Sequence, residues 1–164
     1  MKQRFLDLYM DFALRTAEMS RAKRLKVGCV IVKDDNIIAY SWNGTPKSWE
    51  NNCERNVFAD DKANWADIDD TFPYEDVLGR RYKLETLPEV LHSETNAISK
   101  LAKSHASAEG ATMFCTHAPC MDCAKMIYQA GITKLYYNET YRSTKGIEFL
   151  LEAGVVTKQY VATE

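Results

Sequence analysis

The triplet His92-Ser93-Glu94 and the segment Pro119-Cys120-Met121-Asp122-Cys123 bring together residue types that can hold a metal and move a proton. One neutral imidazole and two thiolates are three ligands of the kind tetrahedral Zn²⁺ accepts. Three protein ligands leave the fourth position to water, the pattern of a catalytic rather than a structural site. Glu94 stands only two residues past His92, too near to be an obvious fourth ligand and well placed to reach water at the metal. It is the candidate proton shuttle. Zinc lowers the pKa of water from about 15.7 towards 7, so the set suits hydrolysis at neutral pH. The competing reading is a structural zinc closed by His117 or Cys115, which leaves Glu94 without a role.

The elements that carry these residues follow from the hydrophobic pattern. Phe5, Leu6, Tyr9, Phe12, Ala13 and Ala17 recur at helical spacing, predicting a first helix over 4–19. Two apolar runs, 27–32 and 36–42, are joined by Lys33-Asp34-Asp35 and read as a β-hairpin. After His92 the pattern predicts a helix over 93–105, a strand over 111–116 and a helix over 120–130 stopped by Gly131. A strand over 133–138, a helix over 146–153 stopped by Gly154, and a last strand over 155–161 complete it. The fold class is α/β and layered, and because a helix separates the last two strands they should run parallel through a right-handed crossover. His92 then starts one helix while Cys120 and Cys123 occupy the first turn of another, three apart and on one face. The positive helix end favours thiolate.

Between Gly44 and Leu91 the regular pattern lapses. Pro46, Pro73 and Pro88, many acidic residues, and the aromatics Trp49, Phe58, Trp65, Phe72, Tyr74 and Tyr82 mark a long insert at about 45–91. Loops this long are usually functional or locally structured, the aromatics argue against disorder, and a short helix over 58–68 is expected. The chain, 1–164, reads as a single domain carrying that insert.

Composition narrows the function classes. The 46% hydrophobic and 27% charged residues are ordinary for a globular protein, and no apolar run approaches the roughly 20 residues of a membrane span. The charged start Met1-Lys2-Gln3-Arg4-Phe5 leads into an amphipathic pattern rather than a signal peptide, so a cytoplasmic location is expected. Five cysteines, an odd number, fit metal ligands plus free thiols in a reducing compartment. Cys29 reads as core and Cys53 as a free thiol. His105 reads as a helix-end residue, and His117 as a surface or supporting histidine beside the metal loop. A net charge of −2 argues against a general nucleic-acid binder. The basic run from Arg21 to Lys26 is either a local anion-binding patch or a solvated helix end. Within it, Arg24 and Lys26 are the candidates for a substrate phosphate, because the loop before the first strand should border the pocket.

The order H-x-E and then P-C-x-x-C is the signature of zinc-dependent nucleobase deaminases. In such enzymes water attacks the amine-bearing ring carbon, and the glutamate carries a proton to the ring nitrogen and then to departing ammonia. Backbone near Ala118 and Cys120 is placed to act as an oxyanion-type donor. Residues 28–33, Trp42-Asn43-Gly44-Thr45-Pro46, residues 92–98, residues 119–125 and Gly131-Ile132-Thr133-Lys134 resemble successive blocks of the deoxycytidylate (dCMP) deaminase family, of phage type. That resemblance implies a cytidine-deaminase-like three-layer fold with a five-stranded mixed sheet and helices on both faces. It implies hydrolysis of dCMP to dUMP and ammonia as a step towards thymidylate, in the host-cell cytoplasm for a phage-encoded enzyme. It also implies a homo-oligomer, commonly a hexamer, activated by dCTP and inhibited by dTTP with a divalent cation such as Mg²⁺.

Carried over by position, the resemblance makes His92, Cys120 and Cys123 the zinc ligands and Glu94 the shuttle. Asn43 becomes a sugar contact and Tyr141 a base-stacking residue. The family's regulatory Gly-Tyr-Asn-Gly reads here Ser41-Trp42-Asn43-Gly44, so Trp42, Asn43 and Gly44 are the allosteric candidates; Trp keeps a flat face while Ser loses the φ freedom of Gly. Ser93 replaces the usual small Ala, with little effect expected. The motif alone also admits a deaminase of another base, as free nucleoside, guanine or tRNA, and a non-catalytic nucleotide-sensing zinc module.

Overall fold

The computed structural model describes residues 1–60, 63 and 65–162. Helix α1 (Gln3–Ala17) buries Tyr9, Ala13 and Ala17 of the marked stripe together with the unmarked Met10, while Phe12 turns outward. Strands β1 (Gly28–Lys33) and β2 (Asn36–Trp42) form the predicted hairpin, with Lys33 paired to Asn36. Between them Asp34 and Asp35 both take positive φ, 50° and 59°. A two-residue turn matching the right-handed strand twist needs that conformation, and Asp tolerates it.

The insert is locally structured, as its aromatics suggest. It holds β3 (Glu54–Phe58), a 3-10 turn (Trp65–Asp67) continuing into α2 (Ile68–Thr71), β4 (Tyr74–Glu75) and β5 (Arg81–Thr86). The three strands form a separate antiparallel sheet in the order β3-β5-β4. Tyr82 pairs with Phe58 on one side and Tyr74 on the other, with ring centroids 5.6 and 5.4 Å apart. Cross-strand aromatic pairs of this kind hold a sheet with little core behind it. The short helical stretch therefore begins later than the expected 58–68, of which residues 61, 62 and 64 lie outside the described residues.

The remaining elements follow the predicted alternation: α3 (Ser93–Leu101), β6 (Thr112–His117), α4 (Met121–Gln129), β7 (Lys134–Glu139), α5 (Lys145–Glu152) and β8 (Val156–Gln159). Helix α3 stops four residues short of the expected end. There the Ser104 hydroxyl donates to the Leu101 carbonyl and accepts from the Ala106 amide, a local turn that competes with helix. Gly131 and Gly154 end α4 and α5 at φ 79° and 81°, the left-handed conformation that a helix stop uses.

The main sheet has five strands in the order β2-β1-β6-β7-β8. The pairs β1–β2 and β1–β6 are antiparallel, and β6–β7 and β7–β8 are parallel, so the sheet is mixed and its last two strands run as expected. One face packs on α1 through Tyr9, Met10, Ala13, Val30, Val32 and Phe114. The other packs on α3, α4 and α5 through residues such as Ile31, Met113, Ala97, Ile127 and Leu150. This is the three-layer α/β arrangement, and it brings the N-termini of α3 and α4 to one side of the sheet. Among the described residues, no helix is long and apolar enough to cross a membrane.

Candidate active site

His92 is the N-cap of α3 and Cys120 the N-cap of α4, while Cys123 lies in the first turn of α4. His92 Nδ1 is 3.3 Å from Cys123 Sγ and 3.6 Å from Cys120 Sγ. The ligand atoms of the three residues all lie within 4.8 Å of one another, and no other such cluster occurs among the described residues. One imidazole nitrogen and two sulfurs at this separation fit a zinc ion with a position to spare. His117 and Cys115 do not close the set. His117 Nε2 faces Glu139 at 3.3 Å, and Cys115 is buried in β6 opposite Cys29 of β1.

The electrostatics suit a cation. Hydrogen bonds from Cys123 and then from His92 pull the Cys120 thiol down to about 4. The Cys123 thiol is pushed up, first because it donates that bond to Cys120 and second by burial. Donation to Cys120 likewise raises His92. Two thiols compete for one proton beside two converging helix N-termini, and a divalent ion relieves that competition.

Glu94 is only 4% exposed, and burial raises its carboxyl above the ordinary range. Its Oε2 accepts a 2.8 Å hydrogen bond from the buried Ser93 hydroxyl. The substitution that looked neutral in the sequence therefore touches the shuttle candidate directly. A helix-start pattern gives the side-chain position of Ser93 but not the direction of its hydroxyl.

These groups open onto a cavity of about 420 Å³, which Asn43, Tyr141, Ala118 and Arg24 also line. Lys26 is exposed and is not among the lining residues. The Ala118 amide donates to the Glu139 carbonyl at 2.8 Å, so this N–H is taken up within the fold and is not the expected backbone donor. The Asn43 side chain is also committed. Its Oδ1 accepts from the Val27 amide and its Nδ2 donates to the Leu25 carbonyl, both at 2.9 Å. With the Ser20 hydroxyl donating to the Asn43 carbonyl, Asn43 pins residues 20–27 as a strap forming one cavity wall. Trp42 gives its carbonyl to Asn96 of α3 and its ring to Lys100, whose Nζ lies 5.2 Å from the ring centre. Gly44 exchanges backbone hydrogen bonds with Leu91, just before His92.

Three residues that the motifs did not mark belong to the site. Arg142 lines the cavity, donates to the Tyr141 hydroxyl at 2.8 Å and lies over its ring at 5.2 Å. Glu54, in the insert, also lines the cavity. Gly146 of α5 sits under the metal loop: a Cβ there would lie 2.2 Å from the Pro119 carbonyl oxygen and 2.9 Å from Cys120 backbone. Cys53 packs with Ala22 and Val90, as a buried thiol.

Residues 3–139 match the model of the cytidine and deoxycytidylate deaminase zinc-binding region. Among solved structures, the chain is similar to the dCMP deaminase of cyanophage S-TIM5 in complex with dCMP and dUMP. That match has 39% identity and a TM-score of 0.77 over 98% of this chain and 99% of that one. The deoxycytidylate deaminase of Enterobacteria phage T4 is 32% identical over 83% of this chain and 78% of its own length. The Saccharomyces cerevisiae enzyme is 29% identical over 95% of this chain, which spans 45% of the yeast protein.

Proposed function

Because the chain belongs to the cytidine and deoxycytidylate deaminase zinc-binding family, we propose that it hydrolyses dCMP to dUMP and ammonia, supplying dUMP for thymidylate synthesis. The observation that carries this reading is the buried Glu94 beside a three-ligand cluster at the end of a nucleotide-sized cavity. A zinc ion held by His92, Cys120 and Cys123 supplies the Lewis acidity that makes water nucleophilic near neutral pH. Glu94 takes the proton of the attacking water, passes it to N3 of the cytosine ring, and then serves the departing amine. Water adds at C4, the C4–N bond breaks, and ammonia leaves. A carboxyl raised by burial is suited to hold and return that proton.

The rest of the cavity binds and orients. The Ala118 carbonyl accepts from the C4 amino group, and the Tyr141 ring covers the base. Arg24 and, in place of the exposed Lys26, Arg142 take the 5′-phosphate. Asn43 acts by fixing the strap that carries Arg24. The whole chain, insert included, works as one catalytic domain.

Regulation by dCTP and dTTP around Trp42, Asn43 and Gly44 belongs to the same proposal. It is supported by the connections of those residues, because Asn43 braces the cavity wall while Trp42 is tied to α3 two residues beyond Glu94. Assembly into a homo-oligomer, a hexamer by family pattern, is supported by the edge strand β2, where Ile37 and Tyr40 lie exposed beside Phe12.

The decisive experiment measures ammonia release from dCMP, deoxycytidine and dCTP, with and without dCTP or dTTP as effector, alongside the sedimentation mass. Wild type should favour dCMP, and Glu94→Ala should lower turnover by at least about 10⁴-fold with zinc content and fold unchanged. Equal activity on deoxycytidine would remove the phosphate requirement, an active Glu94→Ala would sink the shuttle, and a monomeric or effector-blind enzyme would remove the corresponding part.

A further inference from the structure

Glu54 is a buried acidic side chain in the substrate cavity to which the reaction above gives no task. It opens β3, is 6% exposed, and lies on the cavity wall. Its Oε1 accepts the backbone amides of Lys23 at 3.0 Å and Arg24 at 3.2 Å. Its Oε2 has no hydrogen bond to a described residue, yet no buried side-chain oxygen among the described residues lacks a partner. Oε2 is therefore the accessible oxygen, and the open space it meets is the cavity. The strap fixes its direction, since Oε1 is held by two amides and the Arg24 guanidinium is tied to Thr86 Oγ1 at 2.9 Å.

A carboxylate accepts hydrogen bonds and donates none, and it repels phosphate. What it can recognise in a nucleotide is a donor, and away from the C4 amino group at the metal end that donor is a sugar hydroxyl. With the base against the metal end, the sugar faces the walls between that end and the phosphate. A 2′-deoxyribonucleoside 5′-monophosphate has one sugar hydroxyl, on C3′. We propose that Glu54 Oε2 accepts the hydrogen bond of the substrate's 3′-hydroxyl, making Glu54 a specificity-determining residue that admits nucleotides carrying that group. The assignment rests on the dCMP reading and adds a sugar contact from the insert. It also gives the second sheet a purpose, because β3 and β5 hold Glu54 and Thr86 on the same wall.

The test is a cycle of two enzymes and two substrates: zinc-loaded wild type and Glu54→Gln, each with dCMP and with 2′,3′-dideoxycytidine 5′-monophosphate. Glutamine keeps an oxygen for the two strap amides and puts an NH₂ where the accepting oxygen was. Wild type should have a kcat/KM about 10- to 100-fold lower on the dideoxy nucleotide, the range for a lost hydrogen bond to a charged group. In Glu54→Gln the gap between substrates should shrink to below about 3-fold, because activity falls on dCMP and hardly changes on the analogue. Equal wild-type activity on both substrates overturns the assignment. So does a variant that loses the same factor on both, which would make Glu54 a brace for the strap alone. An enzyme that deaminates neither nucleotide overturns the dCMP reading along with it.

Discussion

A single oxygen separates Ser93 from alanine, and it lies against the carboxylate proposed as the proton shuttle. The Ser93 hydroxyl and the Glu94 carboxylate are both buried, and the 2.8 Å bond between them fixes where the carboxylate points. Ser93→Ala should lower kcat about 10-fold, the lower end for loss of a partner behind a metal-site residue, with KM and zinc content near wild type. An unchanged kcat would mean that Glu94 is held by packing alone. At this scale the sequence was legible where chemistry depends on residue type and spacing: H-x-E and C-x-x-C name three side chains that cluster in space and a fourth, Glu94, that lines the same cavity. It was not legible where the outcome depends on which partner a donor finds. The Ala118 backbone amide turns to the Glu139 carbonyl and the Asn43 side-chain amide to the Leu25 carbonyl, choices set by strands and loops far apart in the chain.

Helices and strands with strong local periodicity were read within a few residues. The hairpin β1–β2, the stops at Gly131 and Gly154, and the parallel pair β7–β8 all follow from short-range pattern and handedness. The small sheet of the insert did not, because its strands are two to six residues long and the β3–β5 pairing joins segments about 24 to 32 apart. A similar limit hid Gly146, which reads simply as the start of α5. In space α5 packs on α4, and Gly146 lets the helix approach the Pro119–Cys120 backbone closer than any side chain allows. The neighbour is backbone, which cannot swing aside. Gly146→Ala should therefore push the Cys120 loop out of line and weaken zinc affinity by about 10- to 100-fold, with turnover recovering at saturating zinc. Titration against a competing chelator reads this directly, and wild-type affinity in the variant would show that α5 can shift to make room.

Across the whole molecule, the metal cluster joins elements that the sheet only brings near. His92 caps α3 and the two cysteines start α4, so an ion there ties the two helices on one face together at their N-termini. Removing it should cost stability as well as activity. Free zinc at 1,000 times its Kd contributes about 4 kcal/mol, or about 10 °C in Tm for a chain of this size. The pH dependence has a definite sign. His92 and Cys123 are both raised by their bonds to Cys120, so in the metal-free protein their protons add stability at low pH, and that contribution is lost as pH rises. Zinc displaces those protons, so its affinity strengthens as pH rises. The Tm difference between zinc-loaded and chelator-treated protein should therefore widen from about pH 6 to pH 8, the span that begins near the unperturbed histidine pKa and approaches that of cysteine. A difference that stays flat or narrows over that range would mean that zinc does not take the place of protons at His92 and Cys123. The cluster would then not be what holds α3 to α4.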